Sequence, residues 1–118
     1  MPANSLIDKI KAQPEDICFN EVISFISEHY RYTPTRFTNG VGDDKVINEV
    51  GTNEGSCKIF AFARLNALSE QQTLACFGRY YRDDVLVHPE GDDHANIRAF
   101  MRYGWAGIHF DADVLISK

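Results

Sequence analysis

Asn53-Glu54-Gly55-Ser56-Cys57-Lys58 gathers a carboxylate, a hydroxyl, a thiol and an amine around one glycine, directly before the apolar run Ile59-Phe60-Ala61-Phe62-Ala63. Such a loop-to-helix junction can hold an anion on free backbone N–H groups or activate a nucleophile. Cys57 is the natural nucleophile, because a thiol near a helix N-terminus has a lowered pKa and Lys58 adds positive charge. Its base must come from His29, His88, His94 or His109. His94 is the best candidate, in Gly91-Asp92-Asp93-His94 at the first turn of another helix, with Asp92, Asp93 or Asn96 to orient it. Beside Ile59 and Phe60, the same cysteine reads more readily as a small core side chain.

Other polar groups carry weaker chemistry. Glu54, Asn53 and Asn48 offer oxygen ligands, or they fix a turn by binding local N–H groups. Asp92, Asp93 and His94 have the right donor types for a divalent ion, but neighbours on a helix point apart. No His-x3-His or Cys-x2-Cys spacing is present, so neither a metal nor a cofactor is expected. Arg82 and Arg98 would suit a carboxylate or phosphate if both lined one pocket. As surface ion pairs they would contribute about 0–1 kcal/mol each. Gly40-Val41-Gly42 lacks dinucleotide-binding spacing and Gly55 has no phosphate-loop context. Trp105 reads as a lid anchored by its indole N–H or, if exposed, as a partner surface.

Helices must position these groups. Ser5 is expected to cap a short helix through Lys11, and Pro14-Glu15-Asp16 to start a second. Phe19, Val22, Ile23, Ile26 and Tyr30 carry that second helix to Tyr30, and Pro34 ends the region. Lys45 to Val50 predicts a short strand, with Arg36-Phe37-Thr38 as its hairpin partner. Asn53 or Ser56 begins a central helix to about Asn66. Ser69 and Gln72 form a capping box that opens a helix to about Asp83. Asp92 or Asp93 caps a last helix, which Gly104 terminates, with His94 packing along the side of Ile97 and Met101. Trp105 to Phe110 and Val114 to Ile116 are terminal strands or coil. The pattern is one α+β domain over residues 1–118, mostly helical, with a small β element of short strands.

Composition narrows the partners. The chain has 118 residues, 44% of them hydrophobic, enough for a core rich in Phe. Its 17 acidic and 12 basic side chains give a net charge of -5, and no run of Lys or Arg forms a stripe. Nucleic acid is therefore not an expected partner, since phosphate neutralisation dominates such binding. No apolar run is long enough to span a membrane, and the N-terminus lacks a secretory pattern, so a cytoplasmic monomer is expected. Cys18, Cys57 and Cys76 form no close pair and are expected as free thiols.

Several ordered blocks resemble the HopJ type III effector protein family. They are Tyr32-Thr33-Pro34 with Phe37 and Asn39-Gly40, then Asn53 through Phe62. Thr73 through Gly78 follows with Tyr80-Tyr81-Arg82, and then Asp93-His94, Asn96-Ile97-Arg98, Phe100-Met101 and Gly104-Trp105. Together they span nearly the whole chain. The family is named after a protein that a plant-pathogenic bacterium delivers into host cells, and similar proteins occur in other bacteria and in photosynthetic eukaryotes. The resemblance implies no catalytic residue or cofactor, and secretion by a type III system only through the family name. It does imply that Glu54, Ser56, Cys57 and Lys58 share one polar cleft with Arg82, Asp93, His94, Asn96 and Arg98.

Three readings follow. The chain is a domain that binds a small ligand or a protein. Alternatively it is a small enzyme with thiol or hydrolytic chemistry at Cys57 or His94, with Asp93 as the orienting carboxylate. The third reading is a structural or regulatory interaction protein. They differ in whether the polar residues converge and whether Cys57 meets solvent.

Overall fold

Helix α3, Glu54–Leu65, runs through the centre of the protein, with Cys57, Ile59, Phe60, Ala61, Phe62 and Ala63 all buried. A helix that is apolar on nearly every side must be covered on every side. Helix α2, Phe19–His29, lies against it with Val22 and Ile26 inward, and α4, Glu70–Ala75, packs nearby with Thr73, Leu74 and Ala75 buried. Helix α1, Pro2–Ala12, adds Leu6 and Ile10, and α5, Ala95–Tyr103, adds Ile97 and Phe100. This computed structural model describes the backbone of residues 2–118 and side chains from Leu6 onward. Helix α1 starts upstream of Ser5, so Ser5 is no N-cap; its side chain lies outside the described residues.

Two small antiparallel sheets flank the helices. Strand β1, Tyr30–Tyr32, pairs with the C-terminal β5, Leu115–Ser117, in the register Tyr32 to Leu115. The helical spacing that carries α2 to Tyr30 therefore ends one residue early, because the C-terminus supplies ladder partners. In the second sheet β2, Phe37–Asn39, lies between β3, Val46–Asn48, and β4, His109–Phe110. The hairpin predicted from Phe37 and Val46 forms, with Phe37 opposite Asn48. Among the described residues, 55% are helical and five short strands form, an α+β single domain.

The structure departs from helical periodicity twice. Pro14–Asp16 is a single 3-10 turn, and α2 begins at Phe19, where the Cys18 N–H donates to Glu21 Oε2 at 3.1 Å. Residues 14–17 stay out of the helix because the Arg82 guanidinium donates to Pro14 O and Ile17 O, at 3.3 and 2.8 Å, and Ile17 is buried. The capping box at Ser69 and Gln72 forms, but α4 stops at Ala75 instead of running to Asp83. Gly78 takes φ +60° there, and a β-carbon on it would lie 2.8 Å from Phe19 N. Only glycine allows both the left-handed turn and this close approach. Beyond it, Tyr80–Val85 forms one π-helical turn.

Candidate functional site

Helices α3 and α5 both begin at the wall of one cavity of about 410 Å³. Asn53, Gly55 and Ser56 line it from the first, and His94, Ala95, Asn96 and Ile97 from the second. Phe19, Phe77 and Tyr80 supply aromatic walls. Phe19 meets Tyr80 edge-on at 5.2 Å between ring centroids and stacks with Phe77 at 6.5 Å. Gly55 permits this arrangement, because a β-carbon there would stand 2.8 Å from the tip of the Phe19 ring.

Neither helix is capped by a side chain. Asn53 and His94 precede α3 and α5 in left-handed conformations, with φ 49° and 51°. Asparagine and histidine are among the few residues that adopt this region readily. Each side chain is drawn elsewhere: Asn53 Nδ2 donates to Asn48 Oδ1 at 2.7 Å, and His94 Nε2 lies 3.0 Å from Asp84 Oδ2. The first helical hydrogen bonds run from Cys57 N to Asn53 O and from Arg98 N to His94 O. The amides of Glu54 to Ser56 and of Ala95 to Ile97 therefore have no acceptor among the described residues. Two helix N-termini, each with free donors and a partial positive charge, face the cavity region together.

The nine residues expected to share one cleft divide among several places. Ser56, His94 and Asn96 line the cavity. Glu54 and Lys58 engage Tyr32 instead: the Tyr32 hydroxyl donates to Glu54 Oε2 at 3.0 Å, and Lys58 Nζ lies 4.6 Å above the ring. Burial first, then the bond to Glu54, holds the Tyr32 hydroxyl well above its usual pKa. Arg82 ties down the turn before α2. Arg98 binds Asp93, with Nη2 2.7 Å from Oδ1, and Pro89 O at 3.3 Å; this hydrogen bond holds the Asp93 carboxyl below its usual range. The two arginines thus line separate depressions, one with Pro14 and Tyr81, the other with Met101 and Arg102.

The expected grouping of Cys57, His94 and Asp93 is not assembled. Cys57 is 1% exposed, its Sγ lies 3.8 Å from Thr35 O, and burial followed by the Glu54 charge pushes its thiol up to about 11. A helix N-terminus does not activate it, because the side chain points into the core rather than toward the free amides. The carboxylate closest to the His94 ring is Asp84, with Asp93 Oδ2 farther off at 3.9 Å. Neither Asp92 nor Asp93 caps α5, which starts after His94. His94 turns toward Tyr80, 5.5 Å between rings, rather than along Ile97 and Met101. Among the described residues no three His, Cys, Asp or Glu side chains are gathered in a way that could hold a metal ion.

Sequence reasoning missed Phe19, Phe77, Tyr80 and Asp84 as site residues. Phe19 reads as core from its helical spacing, and only Gly55 opposite it marks the wall it forms. Asp84 reaches His94 through the π-helical turn, for which the sequence carries no periodic signal.

The family model described as HopJ type III effector protein matches residues 3–115. A solved structure described as the crystal structure of unknown function protein VPA0580 is similar over 100% of this chain and 95% of its own, at 48% identity and a TM-score of 0.94. No match is found among curated proteins. With the match extending over nearly its whole length, the chain belongs to the HopJ type III effector protein family.

Proposed function

We propose that this chain binds a small molecule with a flat apolar body and an anionic head group. The observation that carries the reading is the convergence of two uncapped helix N-termini on a cavity walled by Phe19, Phe77 and Tyr80. Free amides at helix N-termini suit a carboxylate, sulfonate or phosphate. The aromatic walls suit a planar body, and a volume of about 410 Å³ falls within the range of small-molecule sites. The thiol-enzyme reading finds little support in a buried Cys57, and the partner reading little in Trp105, whose indole N–H donates to Leu68 O at 3.3 Å.

The protein acts in the cytoplasm as a monomer, without nucleic acid or membrane as partner. Support comes from the net charge of -5, three free thiols, and the lack among the described residues of a helix long and apolar enough to cross a membrane. Delivery through a type III system has only the family name behind it.

The test is an amide NMR titration with benzenesulfonate, inorganic sulfate and benzyl alcohol. Benzenesulfonate is expected to shift Gly55, Ser56, Ala95 and Asn96 saturably and more strongly than either fragment. A Ser56→Glu variant, which places a charge in the cavity, is expected to lose the effect. Scattered, non-saturating shifts would sink the reading.

A further inference from the structure

Among the side chains that line the cavity, only His94 can carry a positive charge; no lysine or arginine reaches the wall. Tyr80 is the other titratable group there, and Asn53, Ser56 and Asn96 are neutral. The His94 ring stands beside two carboxylates, 3.0 Å from Asp84 and 3.9 Å from Asp93. Asp93 is already paired with Arg98 at 2.7 Å. Asp84 has no lysine or arginine partner among the described residues, so its charge is balanced only when the imidazole is protonated.

The other elements around the ring add no compensating charge. From α2 the cavity receives Phe19, from the residue before α3 it receives Asn53, and from α3 Gly55 and Ser56, while Glu54 turns to the Tyr32 hydroxyl. The π-helical turn contributes Tyr80 and Asp84. An anionic head entering beside a neutral imidazole would therefore meet Asp84 unscreened. Beside an imidazolium it would meet a cation held in place by Asp84.

We infer that the cavity takes up its anion together with one proton, and that His94 holds this proton at Nδ1. An ionised carboxylate is an acceptor only, so the proton on Nε2 belongs to the bond with Asp84. Nδ1 has no hydrogen-bond partner among the described residues and is the nitrogen left to gain a proton. The proton comes from solvent, and no covalent bond to the ligand forms or breaks. By linkage, a site that gains a proton on binding holds its anion more tightly as pH falls. The ligand class becomes an organic acid held more tightly as pH falls. This inference rests on the anion-binding reading above.

The test uses benzenesulfonate, which stays ionised throughout, so any proton taken up belongs to the protein. Calorimetry between about pH 5.5 and 8.5, in two buffers of different ionisation enthalpy, should show uptake approaching one proton on the alkaline side. Affinity there should fall toward about tenfold per pH unit. His94→Asn, which keeps a residue tolerant of the left-handed backbone, should bind more weakly with no pH slope from this site. In the wild-type protein, saturation on the alkaline side should move the His94 Nδ1 nitrogen resonance toward its protonated position, a readout independent of any variant's folding. Saturable binding with constant affinity, no proton uptake and an unchanged Nδ1 resonance would overturn the inference and leave the binding site standing. Absence of saturable binding at every pH would overturn both.

Discussion

Asn48 and Asn96 exchange two amide hydrogen bonds inside the protein, with Asn96 Nδ2 2.8 Å from Asn48 Oδ1 and Asn48 Nδ2 3.0 Å from Asn96 Oδ1. The same Asn48 oxygen accepts from Asn53 Nδ2, so one buried atom holds a residue at the start of each of the two cavity helices. Asn39 Nδ2 completes the group by donating to Asn96 O at 2.8 Å, and its own Oδ1 is left without a partner. These four asparagines link β2, β3, α3 and α5.

Asn48→Ala is expected to destabilise the protein by about 2–3 kcal/mol, because it leaves the buried Asn96 Nδ2 without its acceptor and Asn96 Oδ1 with only the bond from Asn39 Nδ2, at 3.1 Å. Urea unfolding measures this. A loss below about 1 kcal/mol would mean that the asparagine group does not hold the two helices.

Gly78→Ala forces a β-carbon into a left-handed backbone, 2.8 Å from Phe19 N. The conformational strain alone is about 1–2 kcal/mol, and the contact with backbone atoms adds to it. Thermal unfolding should show a total loss above about 2 kcal/mol. Because the contact is with the first turn of α2, amide shifts of Cys18 and Phe19 should move with it.

The three thiols should react in a set order. Cys18 is exposed, whereas burial raises the thiols of Cys57 and Cys76, to about 11 and about 12. Iodoacetamide at neutral pH is expected to label Cys18 only, with Cys57 and Cys76 labelled after unfolding; prompt labelling of native Cys57 would revive the nucleophile reading. The same shifts set an alkaline limit. A folded pKa above the unfolded one keeps its full stabilising effect below the unfolded value, and that effect is lost as pH rises through the folded one. Stability should therefore decline from about pH 9, to about pH 11 for Cys57 and about pH 12 for Cys76, by up to about 1.4 kcal/mol per pH unit for each thiol. Urea midpoints in that range measure the decline, and Cys76→Ala should flatten it.

Trp105 packs edge-on against Phe60 and Phe100, at 6.5 and 5.1 Å between centroids, with the Arg64 guanidinium 5.2 Å above its ring. Trp105 is half-buried against the core, so Trp105→Ala should cost about 2–3 kcal/mol. A variant of unchanged stability would instead restore the partner-surface reading.

The central place of α3 was legible because a nearly continuous apolar run from Ile59 to Ala63 admits no solvent-facing side. The capping box at Ser69 was legible for a similar reason: its partners are three residues apart and need nothing distant. The break at Gly78 was not, since the apolar spacing of Leu74, Phe77 and Tyr81 suits an unbroken helix. The left-handed turn at Gly78 breaks it, where the backbone of residues 17–19 leaves no room for a β-carbon. The single polar cleft failed in the same way. Glu54, Cys57 and Arg82 are close in kind to cavity residues, but helix rotation points Glu54 at Tyr32, Cys57 at the core and Arg82 at the turn before α2.

By itself the amino-acid sequence determined the α+β class, the family, the buried helix and the two polar segments around Ser56 and His94. Periodicity, capping residues and ordered motifs are local or linear properties, and a chain carries them before it folds. Tertiary structure alone decided that those two segments open onto one cavity, that Asp84 rather than Asp93 approaches His94 most closely, and that Asn48 secures both helix starts. Each of these depends on where a side chain points after distant segments have packed. Residue spacing sets direction along one element and carries no information about the element that will face it.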